Sequence, residues 1–188
     1  DSSALYNRAT QALYSPGSTF KIVSLTTALE NNVATEQSVY SAPSTLEIGG
    51  GEVTNFNGAS YGDITLERAT ELSVNTVFAQ LGTEIGSEGL VNSSEEFGFN
   101  QEISFDLPLV TSLMPDPNEM TEWETAWASA GEPVGEHESP AGPQATVLQM
   151  ALVGCAIAND GVIMQPYLVD SVYNAEGTNS YRATPSQL

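Results

Sequence analysis

The sequence predicts a mainly helical chain with few short strands. Three segments, 20–29, 66–81 and 147–158, space their apolar residues as one face of a helix does. The segment Tyr167–Tyr173 has the composition of a strand. With 40% hydrophobic and 15% charged residues, the 188 residues are typical of a globular protein and long enough for one domain with a core.

The first helix is predicted to begin at Ser18, because Pro16 and Gly17 come immediately before its apolar pattern. Asn31 and Asn32 are predicted to end it. The following stretch, 35–62, lacks helical periodicity and is rich in glycine and asparagine. It is therefore predicted to form loops and a short hairpin.

The middle of the chain predicts two adjacent helices and then a long loop. Thr65 is a suitable N-cap for the first, and the second is expected to end at Gly82. Ser93 and Glu96 have the spacing of a capping box at the start of a further helix. The segment 108–142, rich in proline, glycine and glutamate, is predicted to be a long loop.

Thr146 is predicted to begin the clearest helix, with Gln149 completing a capping box and residues 159–161 ending it. Cys155 is the single cysteine, so it has no partner for an intrachain disulfide. Because it lies in an apolar run, we expect it to be a buried small hydrophobic residue rather than a reactive thiol.

The charge of the chain excludes several classes of function. The formal net charge is −20 and the pI is about 4.1, whereas nucleic acids and anionic membranes bind basic surfaces. No run approaches the roughly 20 apolar residues of a membrane span, and no signal peptide is recognisable. The sequence begins without Met and ends without a closing element, so we expect a piece of a longer polypeptide whose anchor or signal could lie elsewhere.

The single lysine of the chain is the most informative residue for function. Lys21 follows Ser18 by three positions, so the two side chains lie on one helical face within reach of each other. Burial beside Phe20 would lower the pKa of Lys21 and let the neutral amine accept the proton of Ser18. At a helix start, the backbone N–H of Ser18 could also bind an oxyanion. The spacing alone is weak evidence, since serine is common here.

A second short motif, Ser73 and Asn75, gains meaning only beside the first. Alone, Ser73 is better interpreted as an N-cap. Near Lys21, its hydroxyl could relay a proton to a leaving amine, while the amide of Asn75 could bind both the lysine and a substrate carbonyl.

Further segments extend the pattern over nearly the whole chain, in a consistent order: Asn7–Thr10, Tyr14–Lys21, Glu71–Phe78, Thr146–Ala151, Ile157–Gly161 and Pro166–Val169. This series resembles the transpeptidase domain of class B penicillin-binding proteins, in particular the division-type enzymes of actinobacteria. The resemblance implies an α+β fold of which this chain carries mainly the helical subdomain. It also implies that residues 1–188 are a partial transpeptidase domain, truncated at both ends.

The resemblance implies a role for each motif residue in peptidoglycan cross-linking. Ser18 would attack the carbonyl between the last two D-alanines of a stem peptide, with Lys21 as general base. Ser73 would pass the proton to the departing D-alanine, and Asn75 would position the acyl donor. Penicillin would acylate the same serine.

The same resemblance implies the setting of the reaction. The partners would be peptidoglycan stem peptides, β-lactams and proteins of cell-wall synthesis or division, with no nucleic acid, no metal and no organic cofactor. The parent protein would act outside the cytoplasm, anchored in the cell membrane.

The chain departs from the family because it has no lysine after Lys21, and therefore no K-[ST]-G motif. In the family this motif lies on a strand that helps form the oxyanion hole. Truncation explains the absence best, and a degenerate, non-catalytic relative is the alternative. We expect the chain by itself to react poorly with penicillin, because one oxyanion donor typically contributes about 10²–10³ in rate.

Three rival functions remain open. A serine β-lactamase shares the serine–lysine motif but needs a base for deacylation, and no segment resembles the one that supplies glutamate in class A enzymes. A β-lactam sensor would acylate without cross-linking, and a catalytically dead module would not acylate at all.

Two other groups of residues are weaker candidates. His137 is the single histidine and is interpreted as a solvated loop residue within 135–139, a segment unusual for the family. Three glutamates near two tryptophans favour an acidic face with an aromatic anchor, and paired carboxylates for glycoside hydrolysis remain an alternative. These residues are Glu119, Glu122, Trp123, Glu124 and Trp127.

Overall fold

A computed structural model describes residues 6–135 and 139–188. Helices dominate it, as predicted, and the strands form three separate antiparallel pairs rather than one sheet. The helices are α1 (Arg8–Gln11), α2 (Lys21–Glu30), α3 (Leu66–Glu71), α4 (Asn75–Glu96), α5 (Glu122–Ser129) and α6 (Val147–Ala158). The strands are β1 (Val39–Ala42), β2 (Thr45–Ile48), β3 (Gly51–Thr54), β4 (Gly62–Thr65), β5 (Ser171–Tyr173) and β6 (Asn179–Arg182).

The first predicted helix is confirmed, with a tighter start than expected. A 3₁₀ turn, Gly17–Phe20, leads directly into α2. Phe20 is fully buried and meets the ring of Phe99 edge to face, with 5.6 Å between ring centroids. Asn32, just beyond the helix, has a φ of 56°, which ends the helical path as predicted.

The glycine-rich stretch 35–62 contains more strand than expected. The predicted hairpin is β2–β3, but β1 also pairs with β4, with Val39 opposite Thr65. Local periodicity is hard to detect here because each strand has only four residues. In addition, β4, the partner strand of β1, lies 20 to 26 positions further along the chain.

Helix α3 begins after Thr65, whose hydroxyl accepts from the N–H of Arg68, as predicted. The predicted end of the next helix at Gly82 is wrong, because α4 continues to Glu96 with a non-helical residue at Gly86. A Cβ on Gly82 would overlap Ser129 of α5. This glycine is therefore required by close helix packing rather than by a helix end.

The predicted helix start at Ser93 and Glu96 is also wrong, because both residues belong to the last turn of α4. The adjacent Ser94 donates instead to the carbonyl of Leu90, within the same helix. Serine favours this local bond to a preceding carbonyl as readily as a cap, so the spacing alone misleads.

The predicted loop 108–142 contains a helix, α5. Thr121 caps it by accepting from the N–H of Glu124, and the carboxylate of Glu124 accepts from the N–H of Thr121 in return. This capping box holds a short helix within a segment that is otherwise irregular. Helices α4 and α5 pack directly against each other and form one wall of the core.

Helix α6 begins after Thr146 as predicted, but the capping box is incomplete. Thr146 accepts from the N–H of Gln149, whereas the side chain of Gln149 donates to the carbonyl of Phe97. The prediction that Cys155 is buried is wrong, because it lies on the exposed side of α6. Apolarity all around the helix hides which face meets the core.

At the C-terminus, the strand prediction for Tyr167–Tyr173 is confirmed only for β5, which pairs with β6. Nowhere in residues 6–135 and 139–188 is there a helix with the length and apolarity needed to cross a membrane. His137 and its two glutamate neighbours lie outside the described residues, so its predicted role as a solvated loop residue stays a prediction.

Candidate active site

Lys21 begins α2 and is buried against α4, with only 4% of the side chain exposed. Its Nζ lies 5.4 Å from the centroid of the Phe78 ring. Phe20, the last residue of the preceding 3₁₀ turn, and Val23 on α2 are completely buried. The amine of Lys21 is therefore shielded from solvent because it lies among the buried apolar residues of the core.

The amine is surrounded by uncharged acceptors. Lys21 Nζ lies 3.2 Å from Ser18 Oγ, 3.0 Å from Ser73 Oγ, 2.9 Å from the carbonyl oxygen of Ser73 and 2.6 Å from Asn75 Oδ1. All four residues singled out in the sequence therefore meet at one atom. A neutral amine has two N–H bonds and one lone pair, so it could keep two of these bonds and accept a proton from one hydroxyl.

Ser18 combines an exposed side chain with a fixed backbone. It lies in the 3₁₀ turn, one residue after Gly17, whose φ is +53°. The N–H of Gly17 donates to the carbonyl of Gly131 at 3.0 Å. This tie between segments far apart in the chain holds the hydroxyl where a substrate can approach it.

Ser73 is an exposed residue in the left-handed region, with a φ of 56°. Its interpretation as an N-cap is wrong, because Val74 occupies the N-cap position of α4 and makes no side-chain cap. The left-handed turn instead directs both the hydroxyl and the carbonyl of Ser73 to Lys21. Backbone strain of this kind costs about 1–3 kcal/mol and is common at functional sites.

Asn75, the first residue of α4, connects the lysine to the hairpin. Its Oδ1 accepts from Lys21, while its Nδ2 donates to the carbonyl of Thr54 at the end of β3. The amide orientation is therefore fixed by partners on both sides. Two exposed hydroxyls and one amide consequently face the same opening, with the amine beneath them.

Burial lowers the pKa of Lys21 from 10.5 to about 8, and the nearby carboxylate of Glu132 partly opposes this shift. Desolvation disfavours the ammonium, and the uncharged acceptors compensate for it only in part. At pH 7 about a tenth of the amine is therefore unprotonated, far more than for an ordinary lysine. A lysine with this pKa can act as a general base.

Glu132 is the residue of the site that the sequence did not reveal. Its Oε2 accepts from Ser15 Oγ at 3.0 Å, and its Oε1 lies 3.7 Å from the position that a Cβ on Gly17 would occupy. Glu132 and Ser15 are 117 positions apart, so there is no local spacing to detect. The one available signal is its place directly after Gly131, in a segment rich in glycine and proline.

The acidic and aromatic cluster proves to be structural. Glu124 is committed to its helix cap, and the indole N–H groups of Trp123 and Trp127 both donate to the carbonyl of Glu52, each at 3.1 Å. Glu119 accepts from the N–H of Ser139. The two indole bonds tie α5 to β3.

The chain matches the family profile described as the penicillin-binding protein transpeptidase domain, over residues 1–187. The chain belongs to this family. The match confirms the class B penicillin-binding resemblance and the partial α+β fold. The division-type, actinobacterial subtype stays a prediction.

One relative of this chain is the peptidoglycan D,D-transpeptidase PbpA of Mycolicibacterium smegmatis. The two are 32% identical over 98% of the chain and 37% of that protein. The D,D-transpeptidase domain of a peptidoglycan glycosyltransferase from Eggerthella lenta is 61% identical, with a TM-score of 0.96, over 98% of the chain and 46% of that structure. The imipenem acyl-enzyme of penicillin-binding protein A from M. tuberculosis is 28% identical, with a TM-score of 0.85, over 98% and 41%. The chain thus spans less than half the length of these relatives.

Proposed function

We propose that this chain is the nucleophile-bearing part of a D,D-transpeptidase that cross-links peptidoglycan. One observation carries the proposal: a buried amine lies within hydrogen-bond distance of two exposed hydroxyls and one amide. A serine–lysine pair with a second hydroxyl is suited to acyl transfer. The relatives named as D,D-transpeptidases support the same reaction.

In the acylation step, Ser18 Oγ attacks the carbonyl carbon of the terminal D-Ala–D-Ala bond and gives its proton to neutral Lys21 Nζ. The proton then passes to Ser73 Oγ, which hands its own proton to the departing amine as the C–N bond breaks. The first two transfers span 3.2 Å and 3.0 Å. Asn75 orients the donor through its amide, and the backbone N–H of Ser18 faces the developing oxyanion.

In the second step, the amine of another stem peptide attacks the acyl-serine ester. The new amide bond forms, the ester C–O bond breaks, and the amine proton returns through Ser73 and Lys21 to Ser18 Oγ. Because Lys21 begins and ends neutral, the cycle balances without a cofactor. A β-lactam follows only the first step, since its ring nitrogen leaves the carbonyl but stays tethered.

The proposed partners are peptidoglycan stem peptides and β-lactams, together with proteins of cell-wall synthesis or division. The structures of relatives with imipenem or penicillin G as acyl-enzymes support the β-lactam part. The corresponding location is outside the cytoplasm, on a protein anchored in the cell membrane. We further propose that a longer chain supplies the K-[ST]-G strand, and that residues 1–188 alone acylate slowly.

The test is acyl transfer by the full-length protein that contains this chain, supplied with a thioester or stem-peptide donor and a D-amino acid acceptor. A transpeptidase forms the new amide and releases bound benzylpenicillin slowly. A sensor forms the penicillin adduct but no amide. Fast release of penicilloate would favour the β-lactamase, with Glu132 as the candidate base that the sequence did not supply.

A further inference from the structure

An open cavity of about 370 Å³ borders the cluster around Lys21 and has no assigned ligand. It shares Asn75 with the cluster around Lys21, so a substrate held by this amide reaches the cavity directly. The other lining residues come from the end of the hairpin and from the segment that begins in α5: Thr54, Asn55, Phe56, Trp127, Glu132 and Val134.

The lining has the character of a site for a positive charge. Glu132 contributes a carboxylate, and none of the seven lining residues is basic. Two aromatic side chains, Phe56 and Trp127, stand beside it, and aromatic rings attract ammonium groups. Phe56 is 82% exposed, so its ring is open to a ligand that enters the cavity.

The carboxylate is held rather than free to turn away. The hydroxyl of Ser15 lies 3.0 Å from both Glu132 Oε2 and the carbonyl oxygen of Gly131 and shares its one proton between them, and the same carbonyl accepts from the N–H of Gly17. Glu132 is therefore fixed to the same short segment that carries Ser18. Because these two segments are tied together, the negative charge of Glu132 keeps a fixed position relative to Ser18.

We propose that Glu132 is a specificity-determining residue that selects peptides carrying a primary ammonium group in this cavity. The inference rests on the proposed function, because the peptide is the substrate of the Ser18 acylation. The ammonium can belong to the acyl donor or to the acceptor, and both present the same chemistry to the carboxylate. The net charge of −20 further favours cationic over anionic ligands near this opening.

The donor arm of the test compares three penicillins on the full-length protein that contains this chain. Ampicillin has an ammonium in its side chain, benzylpenicillin is uncharged there, and carbenicillin has a carboxylate. We expect acylation rate constants in that order. Glu132→Gln keeps the acceptor for Ser15 and should reduce the ampicillin-to-carbenicillin ratio by about 3- to 10-fold, as expected for a half-exposed ion pair.

The acceptor arm compares transfer of the acyl group from a thioester to D-lysine or to D-alanine. A preference for D-lysine that falls in Glu132→Gln assigns the ammonium to the acceptor, and a change confined to the penicillins assigns it to the donor. Glu88→Gln is the matched control, since it removes the same charge from an exposed position of α4. It should leave both ratios unchanged.

The inference is wrong if Glu132→Gln changes neither ratio by more than Glu88→Gln does, while benzylpenicillin still acylates Ser18. That outcome leaves the proposed function intact. Absence of any benzylpenicillin adduct on Ser18 in the unmodified protein overturns the proposed function, and with it this inference.

Discussion

The proposed role of Lys21 as a base depends on its burial among acceptors that carry no charge. Its direct partners in the described residues are two hydroxyls, one carbonyl and one amide. A carboxylate at the same distance would stabilise the ammonium and make the amine useless as a base. The position of Glu132, close enough to oppose the pKa shift but outside this set of hydrogen bonds, therefore matters.

The rate of acylation should follow the protonation of Lys21. Since its pKa is about 8, we expect the second-order rate constant with benzylpenicillin to rise from pH 6, to reach half its maximum near pH 8 and to level off above about pH 9. Stopped-flow or quenched mass spectrometry on the full-length protein provides the profile. A rate that does not change between pH 6 and 9 would contradict the role of Lys21 as base.

Stability should depend on the same residue. Because the pKa falls from 10.5 in the unfolded chain to about 8 in the folded one, the unfolded state binds more protons between these values, and stability rises with pH there. Relative to Lys21→Met, the free energy of unfolding should therefore increase by about 2 kcal/mol from pH 7 to pH 9.5. Urea titrations of both proteins provide this difference. A constant difference would show that the lysine is not desolvated.

Local geometry predicts one of these contacts, that of Ser18 with Lys21, whereas the other two span 52 and 54 positions and are implied by the family resemblance. Ser18 and Lys21 are one helical turn apart, and the short interval from Ser73 to Asn75 lets a single turn bring both side chains to the amine. Glu132 could not be predicted in this way. Its place depends on a turn whose geometry is set by contacts with residues far away in the chain.

At the scale of elements, the site depends on the contact between the 3₁₀ turn and the end of α5. Gly131 has a φ of +91°, and a Cβ there would overlap the carbonyl of Gly17. Two segments more than 100 residues apart therefore meet backbone to backbone. Sequence periodicity also misplaced the end of α4 at Gly82 and missed α5. Both errors concern the place where α4 packs against α5.

Replacing Gly131 by alanine should disrupt that contact. We expect a loss of more than about 2 kcal/mol in the free energy of unfolding, because both the left-handed backbone and the overlap oppose a side chain. Gly154→Ala is the matched control: it lies inside α6 with nothing within 4 Å of the new Cβ, and it should stabilise the protein by about 0.5–1 kcal/mol. Urea unfolding measures both. Equal effects of the two substitutions would contradict the proposed packing.

At the scale of the molecule, the helices of residues 6–135 and 139–188 enclose three clusters of buried residues, and the site lies where the first two meet. Phe20 and Val23 belong to one cluster and Val77 and Phe78 to another. The sequence predicts most of these positions from their helical spacing. It could not predict the orientation of α6, where Val147 is 55% exposed and Cys155 faces outward, because apolar residues surround the whole helix.

The strong acidity should also be measurable in the whole molecule. With 24 acidic and 4 basic residues, the folded chain is destabilised by self-repulsion that salt screens. Raising sodium chloride from 20 mM to 0.5 M should therefore increase the free energy of unfolding by about 1 kcal/mol, or the Tm by about 2–4 °C. A Tm that falls with chloride would mean that attractive pairs outweigh the repulsion.

The central claim, that Ser18 is an acylated nucleophile, is tested most directly by intact mass. The full-length protein is incubated with benzylpenicillin, alongside Ser18→Ala and Ser180→Ala, which removes an exposed hydroxyl from β6. We predict one adduct of the mass of benzylpenicillin on the unmodified protein and on Ser180→Ala, and none on Ser18→Ala. An adduct that persists in Ser18→Ala, or no adduct on any of the three, would contradict the account.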